Sequence, residues 1–382
     1  MAINLNVLSA RLRKSREALA YDFDEASRAS GIPANRLIEI EDGNTKPSGD
    51  EILILAALYD CDFLQLIDER LPAPSEKTEI LYRRHGDSFS PKDRRAVQEF
   101  LYLCQAEANL EEILGRKKTR PQLSWSGTNY KTHGRQAAEQ LRNIIGYRPN
   151  EVNRDIYADF RAIGVHIFRR ELENNEISGL YIEDPIAGHC VLINYNEDIY
   201  RQRFSTAHEV AHSIFDSSDG IMVTYEARSS KFSPKDFIEI RANSFASHYL
   251  MPLTMLNSLP KLNEESAAAW AQRFRVSTPA LAKALKDAGI IDEKTASRLR
   301  LVRIHQAEKI DPEAPEGLTE NQRERRLGLL KRGLSGYYVE LCRQAHDKGI
   351  ISTHRLCELL RIEPDDLAEF GKLFGWTIQH GL

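Results

Sequence analysis

Two histidines four residues apart, with a glutamate directly after the first, stand at His208, Glu209 and His212 in the stretch HEVAH. On a helix of about 3.6 residues per turn, positions i and i+4 lie one above the other, so both imidazoles can reach a single metal ion. Glu209 lies about 100° round the helix from His208, which suits a general base acting on water at the metal rather than a third ligand. Phe204, Ala207, Ala211, Ile214 and Phe215 supply the apolar positions of a buried helix, so the histidines are carried inward. Buried polar groups need partners, and a metal ion is one.

A hydrolytic zinc ion commonly keeps three protein ligands and one open position. A third histidine on the same segment would require glycine at 215 and histidine at 218, where the chain has Phe215 and Ser218. Downstream, FIEIRANSFASHYLMP (Phe237 to Pro252) carries a second helical pattern. Ile238, Ala242, Phe245, Ala246 and Tyr249 or Leu250 fall on one side, with Pro252 near the end. Glu239 and Asn243 stand there at i and i+4, a carboxylate and an amide one turn apart, which fits a metal ligand and a group that supports it. His248 follows Glu239 by about 900° of helix and so falls on the opposite face.

These helices must be positioned by something, and the sequence ahead of them supplies it. Helical patterns run from near Gly134 to Ile145 and through Ile156 and Phe160. Val165 to Phe168, Gly179 to Ile182 and Cys190 to Asn194 are β-branched and aromatic runs bounded by Gly, Pro, Asn and Asp, and they predict a small antiparallel sheet. An edge strand of such a sheet can hold a peptide backbone by strand addition. The expected class is mainly α with this small sheet, an α+β arrangement.

HEVAH, preceded by RQRFSTA and followed by EIRANSFASHYLMP, resembles the ImmA/IrrE family of metallopeptidases over roughly residues 121 to 300. The phrase containing Ala242, Asn243, Phe245, Ala246, Leu250, Met251 and Pro252 carries much of the likeness. The resemblance implies a gluzincin-like domain in which His208, His212 and Glu239 bind zinc and Glu209 is the catalytic base.

The first seventy residues have short helical periods broken at regular points. Asp22 with Glu25 forms a capping-box start, Gly31 a tight turn, and Gly43 a stop before Pro47. The segment resembles the XRE/Cro-type helix-turn-helix family, with GIPANRLIEIEDGNTKPS around the third helix. That likeness implies that Asn35 and Arg36 face DNA bases. The chain departs from the pattern at Phe23, where the family often has glutamine, and Ala34 and Glu39 suit a groove poorly. Eight Lys/Arg against thirteen Asp/Glu in residues 1–70 oppose phosphate, so a protein-docking or dimerising role stays open beside DNA binding.

Leu71 to Thr78 reads as a boundary. A long helix follows, with Ser90 as N-cap, Pro91 at its first position and apolar residues from Val97 to Ile113 ending at Gly115; its stripe suits packing or a dimer seam. Arg116 to Arg120 reads as a solvated basic linker. Ala267 to Ile291 holds two short helices that read as packing, and Lys309 to Glu324 as a charged linker. The expected domains are therefore a helix-turn-helix at 1–70, a linker and long helix at 71–120, the metallopeptidase at 121–300, and a helical region at 301–382 that shows no chemistry.

No 18-residue apolar run occurs and the N-terminus lacks the apolar stretch of a signal peptide, so neither membrane nor export is expected. Five scattered cysteines read as reduced thiols in a cytoplasm. A net charge of -4 exerts no global pull on nucleic acid. The sequence thus points to a cytoplasmic regulatory zinc metallopeptidase, homodimeric and DNA-binding, that cleaves a specific protein such as a repressor or antitoxin-like regulator. The alternative is a transcriptional regulator whose zinc domain senses or scaffolds without turnover.

Overall fold

The computed structural model describes residues 3–74, 76–85, 88–217, 220–225, 234–260, 262–314 and 317–376. Five helices, α1 (Leu5–Ala18), α2 (Phe23–Ser30), α3 (Ala34–Glu41), α4 (Gly49–Leu58) and α5 (Phe63–Ile67), close round a core of their own that includes Leu8, Leu12, Leu37, Ile40 and Leu55. The Asp22–Glu25 capping box starts α2, and Gly31 ends it in the left-handed conformation that glycine adopts without penalty. Arg16 on α1 forms a bidentate ion pair with Glu41 on α3, at 2.8 and 2.9 Å, which fixes how these helices cross.

Next come α6 (Glu76–His85), α7 (Pro91–Ile113), α8 (Tyr130–Ile145) and α9 (Ile156–Ala162). Helix α7 starts as its sequence predicts, with Ser90 and Asp93 capping each other and Pro91 at the first turn. Four strands follow, β1 (Val165–Arg170), β2 (Ile177–Asp184), β3 (Gly188–Asn194) and β4 (Ile221–Tyr225), in the spatial order β1-β3-β2-β4. The expected antiparallel sheet is in fact mixed: β1 runs parallel to β3, and only the β2–β3 and β2–β4 pairs are antiparallel. The chain reverses between β1 and β2 and again at the β2–β3 hairpin, where Asp184 accepts from the backbone of Ile186 and Ala187. Two reversals restore the first direction, and β3 inserts between the earlier strands. β4 lies outside the three expected strands.

Alternation along the strands feeds two cores, so the sheet is covered on both faces. Ile167, Tyr181, Val191 and Ile193 point to α8, α9 and the two helices that carry the expected metal ligands, α10 (Ile199–Phe215) and α11 (Pro234–Leu250). Phe168, Leu180, Ile182 and Leu192 point the other way, against α7. Packing of α8 on α11 is close because Gly134 has no side chain: a Cβ there would come within 2.4 Å of the Arg241 carbonyl oxygen.

The chain continues through α12 (Leu253–Asn257), α13 (Glu264–Phe274), α14 (Thr278–Asp287) and α15 (Glu293–Leu299). Phe274, Val276, Leu281 and Leu285 enter the core beneath α10 and α11. Finally α16 (Glu320–Lys331), α17 (Gly336–Asp347), α18 (Thr353–Leu360) and α19 (Leu367–Leu373) close the α7 side, with Tyr338, Leu341, Leu356 and Leu360 in that core.

Two stretches expected to be solvated linkers are tied down. Arg120 donates to the carbonyl of Ser213 and, at 3.1 Å, to its hydroxyl, near the last turn of α10 where unpaired carbonyls attract a cation. Asp311 and Glu313 meet the buried Arg169, each at 2.9 Å, and Glu313 also meets Arg161 at 2.7 Å. Buried guanidinium groups are tolerated only when paired, and these two acids are the partners.

Candidate metal centre

Helix α10 lies against the sheet with His208, Glu209 and His212 all buried. Helix α11, held close by α8, brings Glu239 to the same point. His208 Nε2 stands 3.1 Å from His212 Nε2 and 3.2 Å from Glu239 Oε2, and His212 Nε2 stands 3.6 Å from Glu239 Oε1. Tetrahedral zinc with bonds of ~2.0–2.2 Å sets its ligand atoms roughly 3.3–3.6 Å apart. The two imidazole nitrogens and the Glu239 carboxylate lie close to that spacing, with one ligand atom from each within 4.8 Å of the others, so the residues fit such an ion.

Their support was not read from the sequence. Asp216, the C-cap of α10, meets His212 Nδ1 at 3.0 Å, and its other oxygen is paired with Arg241. With Nδ1–H donated to Asp216, a neutral His212 presents a lone pair on Nε2 toward the ligand cluster. Burial works against a charged His212, but Asp216, Glu209 and Glu239 outweigh it and the pKa is raised. The Arg241 guanidinium lies over the rings of Phe215, at 4.6 Å, and Tyr130, at 5.3 Å, which helps hold it in place. The signal for Asp216 was its i+4 spacing from His212. Asn243, expected to support Glu239, lines the cleft described below.

Glu209 is fully buried and neither of its oxygens has a hydrogen-bond partner among the described residues; the Thr224 hydroxyl of β4 lies toward it without closing a bond of normal geometry. Burial raises its pKa against the pull of His212 and His208. Across from it stands Gly179, where a Cβ would come 3.1 Å from Glu209 Cγ and 3.0 Å from the Leu192 carbonyl oxygen. A bare backbone at that strand position makes room for the carboxylate.

The centre opens into a cleft of about 1260 Å³. His248 lines it, with Nδ1–H donated to the Ser244 carbonyl at 2.8 Å, and stands outside the group of three converging donors. Tyr249, on the same helix as Glu239, is in the core, donating to Asp159 at 3.0 Å. Tyr225 ends β4, and its side chain lies outside the described residues.

Far from this centre, Asn35 is exposed on α3, whereas Arg36 is engaged. Its guanidinium donates to both oxygens of Glu51, at 2.8 and 3.0 Å, and to the Lys46 carbonyl at 3.1 Å. Arg36 holds the carboxyl of Glu51 down at about 2.

Residues 160–286 match a family model described as Peptidase_M78, the IrrE N-terminal-like domain. The matched stretch runs from α9 into α14 and contains His208, Glu209, His212 and Glu239. It is metallopeptidase-like, and peptidases of that family depend on a metal. No curated protein matches the chain. Among the described residues no helix is long and apolar enough to cross a membrane.

Proposed function

We propose that the chain is a zinc metallo-endopeptidase of narrow specificity, of the ImmA/IrrE type, joined to an XRE-type helix-turn-helix domain. It acts in the cytoplasm on a specific protein partner, such as a repressor or antitoxin-like regulator, and so controls transcription. The proposed domains are 1–70, 71–120, 121–300 and 301–382, as the sequence divides them. The observation that carries the reading is the buried, unpartnered carboxylate of Glu209 beside three converging metal donors.

Zinc held by His208, His212 and Glu239 would supply a Lewis acid that polarises the scissile carbonyl and lowers the pKa of a water toward ~7. Glu209 takes the proton of the attacking water on a carboxylate oxygen and hands it to the leaving amine. Its burial keeps bulk water from competing for that proton, and Asp216 keeps His212 in the tautomer and orientation that ligation needs. β4 is an edge of the sheet and its Thr224 lines the cleft, so the substrate backbone can add to that strand.

The test is metal analysis with one substitution. The purified chain should carry about one zinc, and His212→Ala should lose most of it; full retention in that variant removes the site. Cells expressing wild type but not Glu209→Gln should then accumulate a cleaved partner. If the Glu209→Gln chain complements a deletion as well as wild type does, the protein is a zinc-containing regulator without turnover.

For the N-terminal helices we propose DNA contact through α3, with Asn35 free to meet a base edge and Arg36 available once Glu51 lets go. A specific observation favours a second role for the same bundle. Leu53 and Ile54 on α4 and Phe63 and Leu64 on the neighbouring α5 are each exposed, apolar surface suited to a second copy in a homodimer. Sedimentation of wild type against Leu53→Glu/Leu64→Glu decides this: a shift from dimer to monomer supports the face, and an unchanged mass removes it.

A further inference from the structure

The cleft beside the metal centre carries more positive charge than its walls neutralise. Six cationic side chains line it among the described residues: Lys131, Arg135, Arg201, Lys283, Arg303 and Lys309. The two aspartates of the lining are already occupied, Asp198 by Lys309 and Asp287 by Lys131 at 3.6 Å. Arg201 is paired with Glu197 at 2.8 Å. Arg135, Lys283 and Arg303 meet no carboxylate within ion-pair distance among the described residues. They come from three separate places, α8, α14 and the chain after α15, and converge on one opening.

The other groups of the cleft do not offset this. Burial lowers the pKa of His248, with Arg135 adding to the effect against the Ser244 carbonyl, Glu139 and Asp287. Between the cations lie aliphatic surfaces, among them Ile240, Leu253, Leu256 and Ile304, with Phe204 the one aromatic side chain of the described lining. Single-stranded nucleic acid needs aromatic platforms for its bases, and this lining supplies few. Uncompensated charge in a concave, low-dielectric wall attracts and orients an opposite charge.

We infer that this cleft selects an acidic peptide segment, one with Asp or Glu near the bond to be cut and aliphatic residues between them, seated against Arg135, Lys283 and Arg303. The inference rests on the peptidase reading and adds the substrate class to it. The apolar side chains of the segment lie on the Leu253 and Ile304 surfaces. The three cations fix which part of a partner protein enters, so a flexible acidic loop or tail is the part presented.

Binding tests this apart from turnover. Fluorescein-labelled decapeptides of alternating Glu and Leu, and of alternating Gln and Leu, are titrated into the full-length, zinc-loaded Glu209→Gln chain and followed by anisotropy. The Glu peptide should bind on the order of tenfold more tightly at low salt, as expected for three partly exposed ion pairs, and the advantage should shrink in ~0.5 M salt. Lys283 and Arg303 are exposed and Arg135 is half-buried, so Arg135→Gln/Lys283→Gln/Arg303→Gln should melt close to wild type and lose the preference. Single variants at Lys283 and Arg303 serve if the triple variant unfolds, each losing part of it. Equal affinity for the two peptides overturns the inference, as does a preference that survives the substitutions. Displacement of the Glu peptide by a ten-residue oligothymidylate that binds more tightly also overturns it, since the cleft would then take nucleic acid. Peptide hydrolysis by the wild-type chain without charge preference sinks the inference alone. Charge preference in binding, with no cleaved partner in cells expressing the wild-type chain, sinks the peptidase reading and leaves the binding standing.

Discussion

The two polar clusters on which the reading depends are built in opposite ways. Around α3 the charges answer one another: Arg36 is spent on Glu51 and the Lys46 carbonyl, and Arg16 on Glu41. At the candidate metal centre two imidazole nitrogens face each other at 3.1 Å, and the Glu209 carboxylate is buried without a hydrogen-bond partner among the described residues. Buried polar groups are nearly always satisfied, so a cluster left incomplete marks a place where something else must enter. A cluster that is complete stabilises the fold, and has to be opened before it can bind anything. The His208, His212 and Glu239 cluster leaves polar atoms open to a ligand; the α3 surface is closed by its own salt bridge.

The strongest way to break that contrast is at Glu209. Glu209→Gln should lower peptide hydrolysis roughly 10²–10⁴-fold, the usual contribution of a positioned base, while zinc content stays at the wild-type value. A variant that keeps its rate shows that the unpartnered carboxylate has no part in the chemistry. Asp216→Ala comes next. It frees the His212 ring and strands Arg241, and chelator competition should show zinc affinity lower by roughly 10–100-fold; unchanged affinity means that the support of His212 is dispensable. Gly134→Ala forces α11 away from α8, and a drop of several degrees in melting temperature, with weaker zinc retention, is expected from overpacking that costs about 1–3 kcal/mol.

The smallest effects belong to the closed cluster. Glu51→Gln releases Arg36, so a DNA-reading bundle should gain a few-fold in affinity in a mobility-shift series over salt. A loss of binding would show that the salt bridge presents α3 rather than masking it. The same residue gives a pH signature. Its folded pKa, near 2, lies below the ordinary 4.5, so its contribution to stability is present above pH 4.5 and fades as pH falls toward 2. Acid titration of the Glu51→Gln bundle should lack that part of the slope.

Legibility in the sequence followed the range of the interaction. His208 and His212 could be paired because helical spacing is local, and Glu239 could be proposed because a second amphipathic pattern carried it. Asp216 escaped notice because it lies just past the last helical residue, although it falls one turn beyond His212. The parallel pairing of β1 with β3 was not legible, since alternation tells which face a residue occupies and not which strand lies beside it. β4 is five residues long and is separated in sequence from the other three strands by α10. Asp311 and Glu313 looked like parts of a solvated linker because their partners lie more than 140 residues earlier. A charged, proline-containing stretch reads the same whether or not a buried arginine waits for it.

That last pairing has a bearing on how the chain comes into being. Synthesis delivers α10 and α11 well before residues 311 and 313. Until those acids leave the ribosome, Arg161 and Arg169 have to lie inside the newly formed core without anions, which costs several kcal/mol for each stranded charge. The helices that bring His208, His212 and Glu239 together are thus made early, while the acids that pair the buried arginines come late, from a segment outside the 160–286 stretch. A nascent chain, or one cut short by a stop codon between residues 240 and 310, carries His208, Glu209, His212 and Glu239 but lacks the acids that pair Arg161 and Arg169.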